Sequence, residues 1–158
     1  MAIFFNTRKE THPAFRTTSA HPIRLGDEQW PTVEHYVQAQ RFECKKLQAE
    51  VRAAMYAFEA KALARRRPDA LRNDWEIVRD EVMETAIREK FRQHPCLRDA
   101  LKATGDAEII EASPVNTHWG VGAEGTGKNM LGRIMMKVRD EFRKSFDQSS
   151  SKPENRLG

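Results

Sequence analysis

Apolar residues recur at intervals of three and four over most of this chain, and that spacing predicts long helices. Only three short segments have the composition of strands: 2–6, a segment before a turn at Gly26 and Asp27, and 107–113. These segments do not alternate with the helices, which argues against a parallel α/β sheet. The pattern predicts an α+β fold, mainly α-helical, in a single compact domain with a few short strands.

The first helices are bounded by a cap and a proline. Thr32 can cap a helix over 33 to about 47, because its hydroxyl can accept a hydrogen bond from the first free amides. One or two alanine-rich helices are predicted over 48–65. The sequence RRRP at 65–68 ends them, since proline disfavours helix in the residue before it.

Two further helices are predicted after this proline. Asn73 or Asp74 can cap a helix over about 75–93, and a short helix begins near Pro95 and stops at Gly105. The longer helix has one apolar face, predicted to comprise Trp75, Val78, Val82, Ile87 and Phe91.

The last helix is predicted over about 128–146. Its core positions are Leu131, Ile134, Met135, Val138 and Phe142, which recur at helical spacing. The polar segment 147–158 has too little apolar surface to order itself and is predicted to be a disordered tail. The folded domain is therefore expected to span 1–146.

Composition restricts the class of protein. The 158 residues suit one domain with a single core, and no apolar run approaches the roughly 20 residues that span a bilayer. The first residues do not resemble a secretory signal. Cys44 and Cys96 are too few for a disulfide framework and lack the paired spacing of a zinc site. We expect a protein of the reducing cytoplasm, with no membrane partner.

A glycine-rich segment precedes the last helix. Residues 122–129, GAEGTGKN, match the phosphate-loop pattern G-x-x-x-x-G-K-[ST] except at Asn129, where a hydroxyl that binds magnesium is expected. The strand candidate before it ends at Ala112, ten residues too early, and the G-x-G-x-x-G match at 120–125 also lacks its βαβ context. Two interpretations remain open: an anion site made of backbone amides, or a tight turn.

Segment 61–72, KALARRRPDALR, is the one locally basic stretch. It has two interpretations, a solvated helix end or a contact with phosphate or nucleic acid. Aromatic residues are not interleaved along it, which argues against a surface that stacks on single-stranded bases.

The helix after Trp30 carries a polar stripe. Glu34, Gln38 and Arg41 lie at i, i+4 and i+7, so a helix places them on one side. Such a stripe commonly faces solvent. However, Glu34 occupies the first turn, where the helix dipole stabilises a carboxylate, and aromatic neighbours flank it. The stripe can therefore line a cleft.

Three blocks in register carry a family resemblance: WPTVEHYVQAQRF, RNDWE with KFRQHPCLRDALKATGD, and HWGVGAEGTGKNMLGRIMMKVR. Together they resemble the YbiA-like family, also called NADAR, from about Pro22 to Phe142. The resemblance implies one compact YbiA-like domain. It also implies N-glycosidase activity, either on phosphoribosylamino-pyrimidine intermediates of riboflavin synthesis or on ADP-ribosylated guanine.

The resemblance also implies site positions. The Glu-His pair of the family corresponds to Glu34 and His35, and its Asp-Trp to Asp74 and Trp75. Its Trp-Gly and Gly-x-Asn correspond to Trp119, Gly120, Gly127 and Asn129.

The chain departs from the family pattern at Thr17, Arg41 and Asn116. Phe15-Arg16-Thr17-Thr18 replaces Phe-Ser-Asn-Phe, Arg41 replaces lysine, and Asn116 replaces aspartate. An arginine cannot form a Schiff base with an opened ribose, so that covalent route is absent at position 41.

We therefore expect hydrolysis of the C–N bond between ribose and a nitrogen base, without a metal or cofactor. Glu34 would stabilise the oxocarbenium-like transition state, and His35 would donate a proton to the leaving nitrogen or serve as a structural histidine. The remaining predicted substrate-binding residues are Gln38, Arg41, Trp75, Trp119, Gly120, Lys128 and Asn129. Arg41, Lys128 and the loop amides would hold phosphate, and either tryptophan would stack on the base or pack in the core.

The expected partner is a small ribosylated or phosphoribosylated molecule, with ADP-ribosylated nucleic acid as a second candidate. Two other classes of function remain open from the sequence. One is a non-catalytic protein that binds ADP-ribose or a nucleotide ligand, and the other is a nucleic-acid-binding protein or one with unrelated chemistry. Release of free base separates an enzyme from a binder.

Overall fold

The computed structural model describes residues 1–150, and these form an α+β domain that is mainly helical, which confirms the predicted class. Two short 3-10 turns, Pro13–Phe15 and Pro68–Ala70, separate some of its elements. The elements in chain order are β1 (Ala2–Phe5), β2 (Ile23–Leu25), β3 (Glu28–Trp30), α1 (Val33–Gln40), α2 (Lys45–Ala53), α3 (Ala57–Arg66), α4 (Trp75–Gln93), α5 (Pro95–Ala103), β4 (Glu108–Glu111) and α6 (Met130–Ser150). Helix α1 packs against α2, α3 and α4, so it lies at the centre of the helical layer. Among the described residues, no helix has the length and hydropathy of a membrane span.

The four strands within residues 1–150 form two separate pairs. Strands β1 and β4 are parallel, with Ala2 opposite Glu108 and Phe5 opposite Glu111, and most of the helices lie between them in sequence. Strand β2 pairs antiparallel with β3, a strand that the sequence did not predict. Gly26 adopts φ +61°, which allows the chain to reverse tightly and continue as this second strand.

The first predicted helix is shorter than expected. It does begin after Thr32, whose hydroxyl accepts from the amide of His35 at 3.2 Å, but it ends at Gln40 rather than near Leu47. The chain turns there to bury Phe42, which pairs with Leu71, and the side chain of Gln48 donates to the Phe42 carbonyl at 2.6 Å. Burial of one aromatic ring thus divides the helical pattern in two.

Helices α4 and α5 have the predicted bounds, although the buried side of α4 differs from expectation. Two of its five predicted apolar residues are buried, Met83 and Ala86 are buried as well, and Trp75 is only partly buried and faces a cleft. Asp74 occupies the N-cap position, but its carboxylate binds the guanidinium of Arg72 instead of a helix amide. The N-terminal turn of α4 therefore borders a cavity as well as the core.

Helix α6 buries four of its five predicted core residues and partly buries the fifth, Phe142. It continues through Ser150, past the predicted end at Phe146, so the first residues of the predicted disordered tail are helical. The rest of that tail, 151–158, lies outside the described residues.

A buried lysine holds the loop that precedes β2. Lys90 of α4 is 0% exposed, and its Nζ donates to the carbonyls of Ala14 and Arg16 and to the hydroxyl of Ser19. Thr17 lies within this loop and reaches α1. The side chain of Lys90 therefore connects α4 to the loop whose Thr17 bonds to Glu34 of α1.

Lys90→Met is expected to lower the free energy of unfolding by about 2–4 kcal/mol, because two buried carbonyls and a hydroxyl lose their donor. Urea denaturation of the variant and of wild type measures the difference. Lys46→Met is the matched control, since Lys46 is exposed on α2. Equal losses in both variants would contradict a role for the buried ammonium.

The stability gap between wild type and Lys90→Met should widen as the pH rises. Burial lowers the pKa of Lys90 to about 7, below the value of about 10.4 for a free lysine. Between these values the unfolded chain binds a proton that the folded chain has released, so the free energy of unfolding of the wild type rises with pH. Denaturation midpoints at several pH values test this, and a pH-independent gap would contradict it.

Candidate active site

A cleft of about 570 Å³ opens beside the polar stripe of Glu34, Gln38 and Arg41. Its walls come from α1, α3 and α4, from the ends of β1 and β4, and from the segment between β4 and Trp119. It is large enough for a nucleotide-sized ligand. Polar and charged side chains line much of it, so it can recognise a polar molecule.

The polar stripe of α1 faces this cleft. Oε2 of Glu34 accepts from the Thr17 hydroxyl at 2.8 Å, and Oε1 accepts from Nε2 of Gln38 at 2.8 Å. The amide oxygen of Gln38 in turn accepts from Nη1 of Arg41 at 3.2 Å. Both bonds to Glu34 come from donors, so the carboxyl group is held in one orientation.

Guanidinium groups on two helices contribute positive charge. The Nε atoms of Arg41 and Arg79 are buried, and neither has a hydrogen-bond partner within residues 1–150. Burial lowers the pKa of Arg41, and the carboxylate of Glu34 opposes that shift. Lys61 of α3 also lines the cleft. Donors without partners beside a polar cleft are suited to an anionic ligand.

Trp75 and Trp119 both line the cleft and also pack against the core. The base-stacking and the core-packing interpretations are therefore each partly met. The guanidinium of Arg41 lies 5.8 Å from the centre of the Trp75 ring. The amide of Trp119 donates to Oδ1 of Asn116 at 2.9 Å, which fixes the turn that carries this ring. The two rings can offer flat apolar faces to a base.

The structure does not bring His35 into the cleft. Its side chain is 1% exposed, with Nδ1 2.8 Å from the Thr32 hydroxyl and Nε2 3.0 Å from the Ala54 carbonyl. A carbonyl can only accept, so Nε2 carries the proton and both ring nitrogens are occupied. This placement matches the structural alternative, in which the ring ties the start of α1 to the end of α2.

The glycine segment is a packed turn, and it does not form the phosphate cradle. The amides of Gly127, Lys128 and Asn129 donate to the carbonyls of Val121, Thr117 and Gly120. The anion-site interpretation is wrong for these amides, because backbone carbonyls already occupy them. Lys128 is exposed and is not among the residues that line the cleft.

The side chain of Asn129 forms hydrogen bonds to β4 and does not reach the cleft. Its Oδ1 accepts from the amide of Glu111 at 2.9 Å, and its Nδ2 donates to the carbonyl of Ile109 at 2.9 Å. The side chain thus pairs with β4 as a neighbouring strand would. Its backbone, at φ +50°, adopts the left-handed conformation that asparagine tolerates.

Sequence reasoning missed a second carboxylate in the cleft wall, at the end of β4. Glu111 is 3% exposed, and its Oε1 accepts from Nδ2 of Asn6 at 2.6 Å. Its Oε2 is buried without a hydrogen-bond partner in the described part of the chain. The available signal was a glutamate at the end of an apolar strand, in AEIIEAS. Arg79 was missed as well, whereas Lys61 begins the basic segment 61–72, for which a phosphate contact was one of the two interpretations.

Comparison with known proteins shows the family of this chain. A family model described as the NADAR domain matches residues 3–143. The chain is 38% identical to N-glycosidase YbiA of Escherichia coli (strain K12) over 140 residues, which cover 89% of this chain and 88% of that protein. The NMR structure of E. coli YbiA superposes with a TM-score of 0.85 at 34% identity, covering 98% of this chain and 91% of that one.

Two further relatives extend the similarity. An N-glycosidase of Nostoc punctiforme is 40% identical over 146 residues, covering 90% of this chain and 94% of that protein. A riboflavin biosynthesis protein of Vibrio vulnificus is 41% identical over 140 residues, which cover 89% of this chain but 38% of that longer protein. The chain belongs to the NADAR domain family.

Proposed function

We propose that this protein is an N-glycosidase, a hydrolase that cleaves the C–N bond between a phosphorylated ribose and a nitrogen base. The observation that carries the proposal is the Glu34 carboxylate, which two donors orient toward a cleft that also contains guanidinium groups. The family and the names of its N-glycosidase members support the same reaction class.

Cleavage of such a bond develops positive charge at the sugar carbon. A fixed carboxylate stabilises that oxocarbenium-like state and can also orient or deprotonate the attacking water, as carboxylates do in glycosidases. Glu34 performs this role. Thr17 and Gln38 hold it before the substrate arrives, so little reorganisation accompanies the reaction.

Phosphate is bound by the cations around the cleft. Arg41 and Arg79 each present a buried Nε–H without a partner in residues 1–150, and Lys61 adds an ammonium group from α3. Arg41 keeps the role predicted from the sequence, and Arg79 and Lys61 take the place of Lys128 and the loop amides. The base lies against Trp75 or Trp119, whose rings can stack on any purine or pyrimidine.

The candidate substrates are phosphoribosylamino-pyrimidine intermediates of riboflavin synthesis and ADP-ribosylated guanine, free or within nucleic acid. The name of the Vibrio vulnificus relative favours the first. The test is a mass-spectrometric screen of both substrate types, together with ADP-ribose and NAD. Release of free base with ribose phosphate or ADP-ribose supports the proposal, and return of every ligand intact would identify a binding protein instead.

Arg41→Ala is expected to raise KM more than it lowers kcat, because the guanidinium contacts phosphate in the bound and transition states alike. Arg41→Lys should restore part of the loss, since it keeps the charge without the planar fork. Steady-state kinetics on the substrate from the screen measure both constants.

Lys128→Ala is the matched control for Arg41→Ala. It removes a cation of equal charge that is exposed on the glycine segment, outside the cleft lining. Its KM should equal that of wild type. An unchanged KM in Arg41→Ala, with only kcat reduced, would contradict the binding role of Arg41.

A further inference from the structure

The proposed reaction leaves two acidic groups of the cleft wall unused, and Glu111 is the buried one, whereas Glu76 is exposed and pairs with Arg79. Oε1 of Glu111 accepts from Asn6, but Oε2 has no hydrogen-bond partner within the described residues, although it is fully enclosed. Buried polar atoms without partners are uncommon, because each loses its hydrogen bonds to water. Because Glu111 lies in the wall of the cleft, a bound ligand can supply the partner that this oxygen lacks.

The surrounding backbone is shaped around this carboxyl group. A Cβ at position 120 would collide with Oε2 of Glu111, so only glycine fits there. Asn6, which holds the other oxygen, adopts φ +61°, a conformation that asparagine tolerates better than most residues. The Glu111 amide is held by Asn129. Three separate segments of the chain thus fix the position of one carboxyl group.

The surroundings of Glu111 differ from those of Glu34. Burial raises the pKa of Glu111, while the hydrogen bond from Asn6, the backbone amide of Ser113 and the positive charge of Lys61 oppose that shift. The other charged groups lining the cleft are Glu34 and Arg41 from α1 and Glu76 and Arg79 from α4. Glu34, by contrast, accepts hydrogen bonds at both oxygens. Two carboxyl groups in such different surroundings are suited to different proton-transfer roles.

We propose that Glu111 is the general acid of the N-glycosidase reaction, donating its proton to the nitrogen of the departing base. This inference rests on the proposed function and replaces His35, whose ring nitrogens are both occupied.

The proton and electron balance of the step is complete. As the bond between the sugar carbon and nitrogen breaks, its electron pair goes to nitrogen, which takes the proton of Glu111. Water forms the new C–O bond and gives its proton to the Glu34 carboxylate. Proton exchange with solvent through the open cleft then restores both groups.

The test compares two leaving groups in wild type and in Glu111→Gln. A phosphoribosylamino-pyrimidine has a basic leaving nitrogen that needs a proton, whereas the phenolate of p-nitrophenyl ribofuranoside 5-phosphate departs without one. Glu111→Gln should lower kcat for the first substrate roughly 10²–10⁴-fold. The rate for the second should stay within a few-fold of wild type, a selectivity that a purely structural role would not produce.

Glu124→Gln is the matched control, because Glu124 is exposed on the glycine segment. It should leave both rates unchanged. Equal losses of Glu111→Gln on both substrates, with a folded circular dichroism spectrum, would overturn the inference. So would a near wild-type rate on the pyrimidine substrate.

Wild-type protein gives a second test should the variant fail to fold. The rate with the pyrimidine substrate should fall as the pH rises and Glu111 loses its proton, and this alkaline limb should be absent with the nitrophenyl substrate. Identical pH profiles for the two substrates would overturn the role of Glu111. Failure of the wild type to release base from any screened N-ribosyl substrate would instead overturn the proposed function, and this inference with it.

Discussion

Glu34→Gln is expected to lower kcat by roughly 10²–10⁴-fold, the usual contribution of a positioned catalytic group, while the protein still binds its ligand. The amide keeps the size of the side chain and can accept from Thr17 or Gln38, but it removes the negative charge that faces the cationic transition state. Rates of base release and ligand affinity, measured on the same preparation, separate the two effects.

Thermal stability should change little in Glu34→Gln, because the side chain lines a cleft and does not pack in the core. Thermal stability can even rise in this variant, because the arrangement of a functional site often lowers the stability of the folded state. Glu43→Gln, an exposed change just after α1, is the control and should keep full activity. Base release near the wild-type rate by folded Glu34→Gln would remove Glu34 from the mechanism, and loss of folding would assign it a structural role instead.

Asn129→Ala is expected to lower the free energy of unfolding by about 2–5 kcal/mol, because the Glu111 amide and the Ile109 carbonyl lose their partners in a buried place. Alanine also tolerates the left-handed backbone at this position poorly. Activity should fall with stability, since Asn129 supports the strand that carries Glu111. Urea denaturation measures the change in unfolding free energy.

Asn129→Gly separates the two causes of that loss. Glycine relieves the backbone strain but still lacks the amide group, so it should recover only a minor part of the stability. Thr126→Ala, an exposed change in the same segment, should stay within about 0.5 kcal/mol of wild type. If Asn129→Gly were as stable as wild type, the side-chain bonds to β4 would not be the source of the effect.

Local patterns were enough to predict much of the fold. The bounds of α4 and α5, the strand candidates that became β1 and β4, and the apolar side of α6 follow from helical spacing, caps, Pro95 and Gly105. The stripe of Glu34, Gln38 and Arg41 was also correctly grouped, since residues four and three apart on a helix share a side. Each of these features depends on residues close together in sequence.

The predictions from sequence were wrong where contacts with other segments of the chain override a local pattern. The helical pattern continues past Gln40, yet burial of Phe42 against Leu71 ends α1 there. The segment 122–129 resembles a phosphate loop, but its amides bond to nearby carbonyls and Asn129 pairs with β4. Leu71 and β4, which determine these two structures, lie outside the local patterns on which the predictions were based.

By itself the sequence determined a mainly helical α+β domain, its resemblance to one family, and a glutamate with two polar neighbours on one side of a helix. Only the tertiary structure decided what surrounds that glutamate. It brings Glu111, Lys61 and Arg79 from three other elements to the same cleft, and it encloses His35 away from it. The physical reason is that helical spacing specifies which side chains share a face, whereas a site of enclosed charges forms only when separate faces pack together.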